Sequence, residues 1–80
     1  MRRSLSPWLG VAIRTRREAK GLSQEQLAER ADLHRTYVSM VERAVRNISV
    51  DALGGIADAL ELPTSQLIEH AERLRDRKSR

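Results

Sequence analysis

Residues 23–43, SQEQLAERADLHRTYVSMVER, constrain the fold of this chain more than any other stretch. Ser23, Gln24, Glu25 and Gln26 read as a capping box. The Ser23 hydroxyl accepts from the third helical N–H and Gln26 reaches back. Leu27, Ala28 and Ala31 then mark the inner face of a helix over 24–31. Asp32 falls where the chain must turn, and aspartate tolerates the left-handed region better than most residues. Beyond it Leu33, Val38 and Val41 share one face of a second helix over 34–43. Two short helices across a three- or four-residue turn must pack on each other. Ala28 is the small residue that lets them cross closely.

The flanks supply three more helices. Ser6 reads as the N-cap of a helix over 7–20, with Pro7 at its first position, where a missing N–H costs nothing. Leu9, Ala12 and Ile13 recur at helical spacing, and Gly21 reads as a left-handed stop. Residues 1–6 read as a flexible arm and 44–47 as a loop. Ser49 caps a fourth helix with Leu53, Ile56, Ala57 and Leu60 inward, and Pro63 breaks it. Thr64 or Ser65 caps a fifth, through about Arg77, with Leu67, Ile68, Ala71 and Leu74 in a stripe; 78–80 read as a frayed tail. Gly54-Gly55 inside the fourth helix fits either close approach of another helix or a locally soft helix. No segment alternates with period two. The reading is a single all-α domain over 1–80.

Composition removes several function classes. The 80 residues contain no cysteine, so disulfides, Cys-type zinc sites and thiol nucleophiles are excluded. His34 and His70 lie too far apart in sequence to pair as metal ligands, so no metal and no cofactor is expected. No apolar run approaches a membrane span, and no apolar segment follows the two N-terminal arginines, so a cytoplasmic protein is expected. No triad, carboxylate pair or phosphate-cradling glycine loop occurs, so an enzyme is not expected. The charge is +4, and thirteen of the 15 cations are arginine. Arginine forks suit phosphates and guanine, although base composition of a genome also enriches arginine.

With Leu33, Val38 and Val41 inward, the second helix of the pair leaves His34, Arg35, Thr36, Ser39 and Arg43 outside. This donor-rich set is what base edges require. The whole has the pattern of a helix-turn-helix, whose second helix enters the major groove of double-stranded DNA.

The run LGVAIRTRREAKGLSQEQLAERADLHRTYVSMVER (9–43), continued by ISVDALGGIADALELP (48–63), resembles Cro/CI-type (XRE-like) helix-turn-helix regulators. Within that family RTYVSMVERAVRNISV (35–50) is most similar to controller proteins of restriction–modification systems, small dimeric autoregulators. The resemblance implies a compact five-helix lambda-repressor-like domain. It implies a phosphate contact at Gln24, base reading by Arg35 and Thr36, and a phosphate contact at Tyr37. Ser39 and Met40 lie one turn further along the groove. Arg46 matches a base-contacting arginine and Asn47 a backbone contact; Arg43 is a loop-flanking cation or a solvated charge. Arg17 and Glu42 match an ion pair joining the first helix to the end of the third, which fits an arginine set among Leu9, Ile13 and Leu22. Two positions depart from the family pattern. Asp32 stands where glycine is usual in the turn, and Ala44-Val45 replace the glycine that commonly follows Glu-Arg.

A chain this small buries only about 60% of its unfolded surface. A two-fold symmetric homodimer through the fifth helix, with help from the fourth, is therefore expected, with Leu67 inward and Ile68, Ala71 and Leu74 toward a partner. Two copies would read a pseudo-palindromic operator. No ligand-sensing domain is apparent, so control by protein concentration rather than a small-molecule effector is expected. The rival reading is an antitoxin-like or adaptor protein that uses the same fold to hold a protein partner.

Overall fold

The computed structural model describes residues 4–78. Among them the chain forms α1 (Ser6–Ala19), α2 (Gln24–Arg30), α3 (Arg35–Glu42), α4 (Val50–Ala59) and α5 (Thr64–Lys78), and no strand. α1 packs on α3 and α5, α2 on α3 and α4, and α4 on α5. Each helix sends a side chain to one shared centre: Ile13, Leu27, Val38, Ile56 and Leu67 are all fully buried. Truncating any of the larger ones to alanine removes burial and leaves a cavity, at about 2–5 kcal/mol.

The helix starts follow local chemistry. Ser23 accepts from the Gln26 backbone N–H at 3.0 Å while Gln26 Oε1 accepts from the Ser23 N–H at 2.9 Å. Ser49 accepts from the Ala52 N–H at 3.1 Å. At α1 the expected serine cap is absent, because the helix begins one residue earlier. The Leu5 carbonyl accepts from Leu9 N–H at 2.9 Å; Leu5 itself has no capping side chain, and Ser4 Oγ accepts from the Ser6 N–H at 3.3 Å. Ser6 is already helical, and its hydroxyl donates instead to Asn47 Oδ1 at 2.8 Å. Leu5 packs against the core, so the arm expected over 1–6 does not extend to Leu5 and Ser6. Residues 1–3 lie outside the described residues.

The helix stops share one device. α1, α2, α3 and α4 each end with one residue in the left-handed region, followed by an N–H that reaches back to close the last turn. At α3 the Ala44 N–H bonds Val41 O at 3.1 Å and the Val45 N–H bonds Met40 O at 3.0 Å. Gly21 fills the left-handed position after α1 at φ 70°, but Asp32, Ala44 and Glu61 fill the others at φ 57°, 60° and 61°. This corrects the expected role of Pro63. α4 stops at Ala59 through the Glu61 turn, with Leu62 N–H on Ala57 O at 3.0 Å. Pro63 only precedes α5, and its carbonyl accepts from Gln66 N–H at 2.9 Å. Thr64 is the first helical residue, so neither Thr64 nor Ser65 stands outside the helix as a cap. Lys78 is still helical, so the frayed tail does not begin there; 79–80 lie outside the described residues.

Two further readings change. Ala71 is fully buried against its own chain, so it cannot face a partner. It lies one turn beyond Leu67 on the inner line of α5, leaving Ile68 and Leu74 half-buried beside it. In α4 a Cβ at Gly54 would meet nothing within 4 Å, and one at Gly55 would meet only the Ala31 carbonyl oxygen at 3.4 Å. Close packing within the chain therefore does not require either glycine.

Candidate nucleic-acid interface

α3 is fastened at both ends. At its start, the turn through Asp32 is closed by Leu33 N–H on Ala28 O at 2.8 Å. Val38 and Val41 are buried, and half-buried Leu33 packs against the same core. With those residues inward, Arg35 and Thr36 are exposed and Ser39 is half-exposed. Together they line an open cleft of about 160 Å³. Arg35 has no hydrogen-bond or ion-pair partner among the described residues. Its five donors are free for an external acceptor.

Arg17 and Glu42 meet at the other end of α3. Arg17 Nε donates to Glu42 Oε2 at 2.7 Å and an Nη to Oε1 at 3.0 Å; its second Nη donates to the Leu22 carbonyl at 2.8 Å. The two side chains are 10% and 3% exposed, so this is a buried, fully hydrogen-bonded pair. The hydrogen bond to Glu42 holds the Arg17 guanidinium above its ordinary pKa, against the opposing effect of burial. Gln24 joins the same group. Its Nε2 donates to Glu42 Oε1 at 3.0 Å. One carboxylate thus ties α1, the start of α2 and the end of α3, and Gln24 Nε2 keeps a second N–H for an acceptor outside.

Tyr37, Arg46 and Asn47 belong to a second network. The Ser49 N–H donates to the Tyr37 hydroxyl at 3.1 Å, which leaves the phenolic O–H free to donate. The Arg46 guanidinium lies over the Tyr37 ring, 5.2 Å from its centroid. Asn47 Oδ1 is occupied by Ser6. Arg43 folds back on its own helix, with Nε donating to the Ser39 carbonyl at 3.3 Å. Gln24, Arg35, Thr36, Tyr37 and Ser39 therefore sit on or beside the α2–α3 pair, whereas Arg43 is held on the end of α3 and Arg46 and Asn47 are engaged in the contacts of the loop after it.

Several of these links carry no signature in the sequence, because they join residues far apart in the chain. Gly10 did carry one. It falls on the inner stripe of α1 with Leu9, Ile13 and Arg17, and a missing side chain on an inward face marks a close approach.

A helix-turn-helix family profile matches residues 13–67. The chain is 43% identical over 61 residues to control protein C.BamHI of Bacillus amyloliquefaciens, covering 75% of each chain. The fold superposes on the restriction-modification controller protein C.AhdI of Aeromonas hydrophila with a TM-score of 0.75 and 43% identity, over 76% of this chain and 92% of that one. It also superposes on the clp gene regulator ClgR of Corynebacterium glutamicum with a TM-score of 0.91 and 26% identity, over 96% of this chain and 82% of that one.

Proposed function

This chain belongs to the helix-turn-helix family of DNA-binding transcriptional regulators, of the XRE type, and from that premise we propose that it reads a pseudo-palindromic operator as a homodimer and controls its own expression, as a controller protein of a restriction–modification system. The relatives are regulators rather than enzymes. No helix among the described residues is long and apolar enough to cross a membrane. A regulator of operator DNA would act in the cytoplasm, and that location is part of the proposal.

The observation that carries the reading is the unpartnered Arg35 beside Thr36 and Ser39 on a helix fixed at both ends. Arg35 forks onto guanine O6 and N7, and Thr36 donates or touches a thymine methyl. Gln24 and the Tyr37 O–H sit to either side as phosphate donors, which position the helix without reading sequence. Arg43, Arg46 and Asn47 approach the same DNA from the loop, and reaching it requires them to exchange the contacts described above. Ile68 and Leu74 on α5, half-buried in one chain, support a two-fold partner face. Two reading helices would then address half-sites about 34 Å apart.

Gel shifts on the DNA upstream of its own gene test the reading. Arg35→Ala is expected to cost about 1–3 kcal/mol and to relax preference at one base pair. Gln24→Ala and Tyr37→Phe should weaken all sequences alike. An Arg35→Ala variant with unchanged affinity and preference would exclude α3 as the reader. For the dimer, sedimentation of wild type and Ile68→Glu decides. A wild type that is monomeric with and without DNA, or an Ile68→Glu variant that dimerises as wild type does, overturns the partner face.

A further inference from the structure

Gly10 is buried on the face of α1 that meets the C-terminal end of α3. A Cβ placed there would come within 2.6 Å of the Val41 carbonyl oxygen, 2.9 Å of the Glu42 carbonyl oxygen and 3.2 Å of the Glu42 carbonyl carbon. These are backbone atoms, so no side-chain rotation relieves the overlap. Glycine inside a helix is unfavourable by itself. At Gly54, where a Cβ meets nothing, close packing within the chain gives no return for it; at Gly10 the return is an approach of two backbones that no other residue permits.

We infer that Gly10 is a positioning residue for the reading helix: its missing side chain sets how deeply the end of α3 sits against α1, and through that the angle at which Arg35 and Thr36 meet the base edges. This rests on α3 being the reader. The same end of α3 is gripped from its other side by the Glu42 carboxylate, which holds Arg17 and Gln24. Gly10 and Glu42 thus fix the backbone and the side chain of one turn. A methyl at position 10 must move the Val41 carbonyl from 2.6 Å to the 3.4 Å of ordinary contact. α3 cannot take up that shift by sliding, because Val38 is fully buried and Leu33 is bonded to Ala28. It tilts about Val38, and the residues at its start swing the other way. A bidentate contact to guanine needs placement to about 0.5 Å. A phosphate contact made by a long side chain in an electrostatic field does not.

The inference separates two affinities that loss of stability would lower together. The probes are a duplex enriched by the wild-type protein from a randomised pool and a scrambled duplex of the same composition. Gly10→Ala, shown to be folded by circular dichroism at low temperature, should bind the enriched duplex about tenfold more weakly. Binding to the scrambled duplex, and its salt dependence, should be unchanged. Ile56→Val, a core truncation in α4 away from the contact between Gly10 and the end of α3, lowers stability and should alter neither affinity while the chain is folded. Should Gly10→Ala not fold, it is measured in a Glu61→Gly background, which relieves the left-handed position between α4 and α5, against the Glu61→Gly chain alone. A folded Gly10→Ala chain with the wild-type ratio of affinities overturns the inference. So does a chain still unfolded in that background, because the glycine would then serve the fold alone. A wild type that enriches no duplex defeats the DNA-reading premise instead, and this inference with it.

Discussion

Replacing Glu42 by glutamine tests the junction of α1, α2 and α3 with almost no change of shape. The carboxylate is 3% exposed and receives three donors, two from Arg17 and one from Gln24. The carboxamide turns one acceptor oxygen into a donor. With its nitrogen at Oε1 it faces Arg17 Nη and Gln24 Nε2; with its nitrogen at Oε2 it faces Arg17 Nε. Either way at least one N–H points at another, and the Arg17 charge loses its counter-ion in a site where it is 10% exposed. Breaking a buried pair from one side costs about 3–5 kcal/mol. The whole stability of a chain this size is about 4–12 kcal/mol. At about 4–8 °C for each kcal/mol, the melting temperature should fall by about 12 °C or more. The assay is thermal and urea unfolding followed by circular dichroism, at matched protein concentration because association would shift the midpoint. Arg17→Met/Glu42→Leu removes both charges and should recover most of the loss, since desolvation consumes much of what the pair gains. By contrast, breaking Arg14–Glu18, with side chains 65% and 56% exposed, should cost well under about 1 kcal/mol. A Glu42→Gln chain that melts with the wild type would refute the reasoning.

Two further perturbations follow from the structure. Ala44→Gly, at φ 60°, removes a left-handed strain of about 1–2 kcal/mol and returns part of it as backbone entropy; the melting temperature should rise by a few degrees, and a fall would show that the loop leaves this conformation. Burial, followed by the charges of Arg16 on α1 and of Arg73 and Arg77 on α5, holds the His70 pKa below its ordinary value of 6.5. The unfolded chain therefore takes up the proton first, and stability present above pH 6.5 is lost as pH falls below it. Melting curves from about pH 8 to about pH 5 should show a larger acid loss for wild type than for His70→Gln, and parallel curves would remove His70 from the α1–α5 seam.

What the sequence revealed was what local chemistry writes down. The Ser23 and Ser49 caps are set by three or four adjacent residues, and the inner lines of α1, α3 and α4 by apolar spacing. Gly21 announced its turn by residue type. Ala44 and Glu61 make the same turn with no residue-type signal, whereas Pro63 is the louder signal near the end of α4 although the helix stops before it. Ala71 shows a different limit. Leu67, Ile68, Ala71 and Leu74 form one stripe, and periodicity alone cannot divide it between a chain's own core and a partner. Arg35, Thr36 and Ser39 are what remains once the apolar line of α3 is subtracted, which needs no tertiary knowledge. The contacts of Tyr37 with Ser49 and Arg46, and of Asn47 with Ser6, join segments up to 41 residues apart and exist only once the loop after α3 is placed.

The proposed reading helix, α3, has only eight residues and is about 12 Å long. An isolated helix of that length does not hold its shape in water, because its few hydrogen bonds cannot offset the cost of nucleation. α3 has no side-chain cap at its start, and at its end only the exposed C-cap residue, Arg43, reaches a carbonyl, that of Ser39 at 3.3 Å. Its order is therefore borrowed from its neighbours: the Asp32 turn on α2, the buried Val38 and Val41, the backbone contact with Gly10 and the carboxylate of Glu42. Glu42 also holds Gln24, a proposed phosphate donor. The interactions that keep α3 helical are thus the same ones that, on the proposed function, aim Arg35 and orient Gln24. On the proposed function, recognition and stability cannot be altered independently at this junction, whereas substitutions at the outward-facing Thr36 and Ser39 would change sequence preference at little cost to the fold.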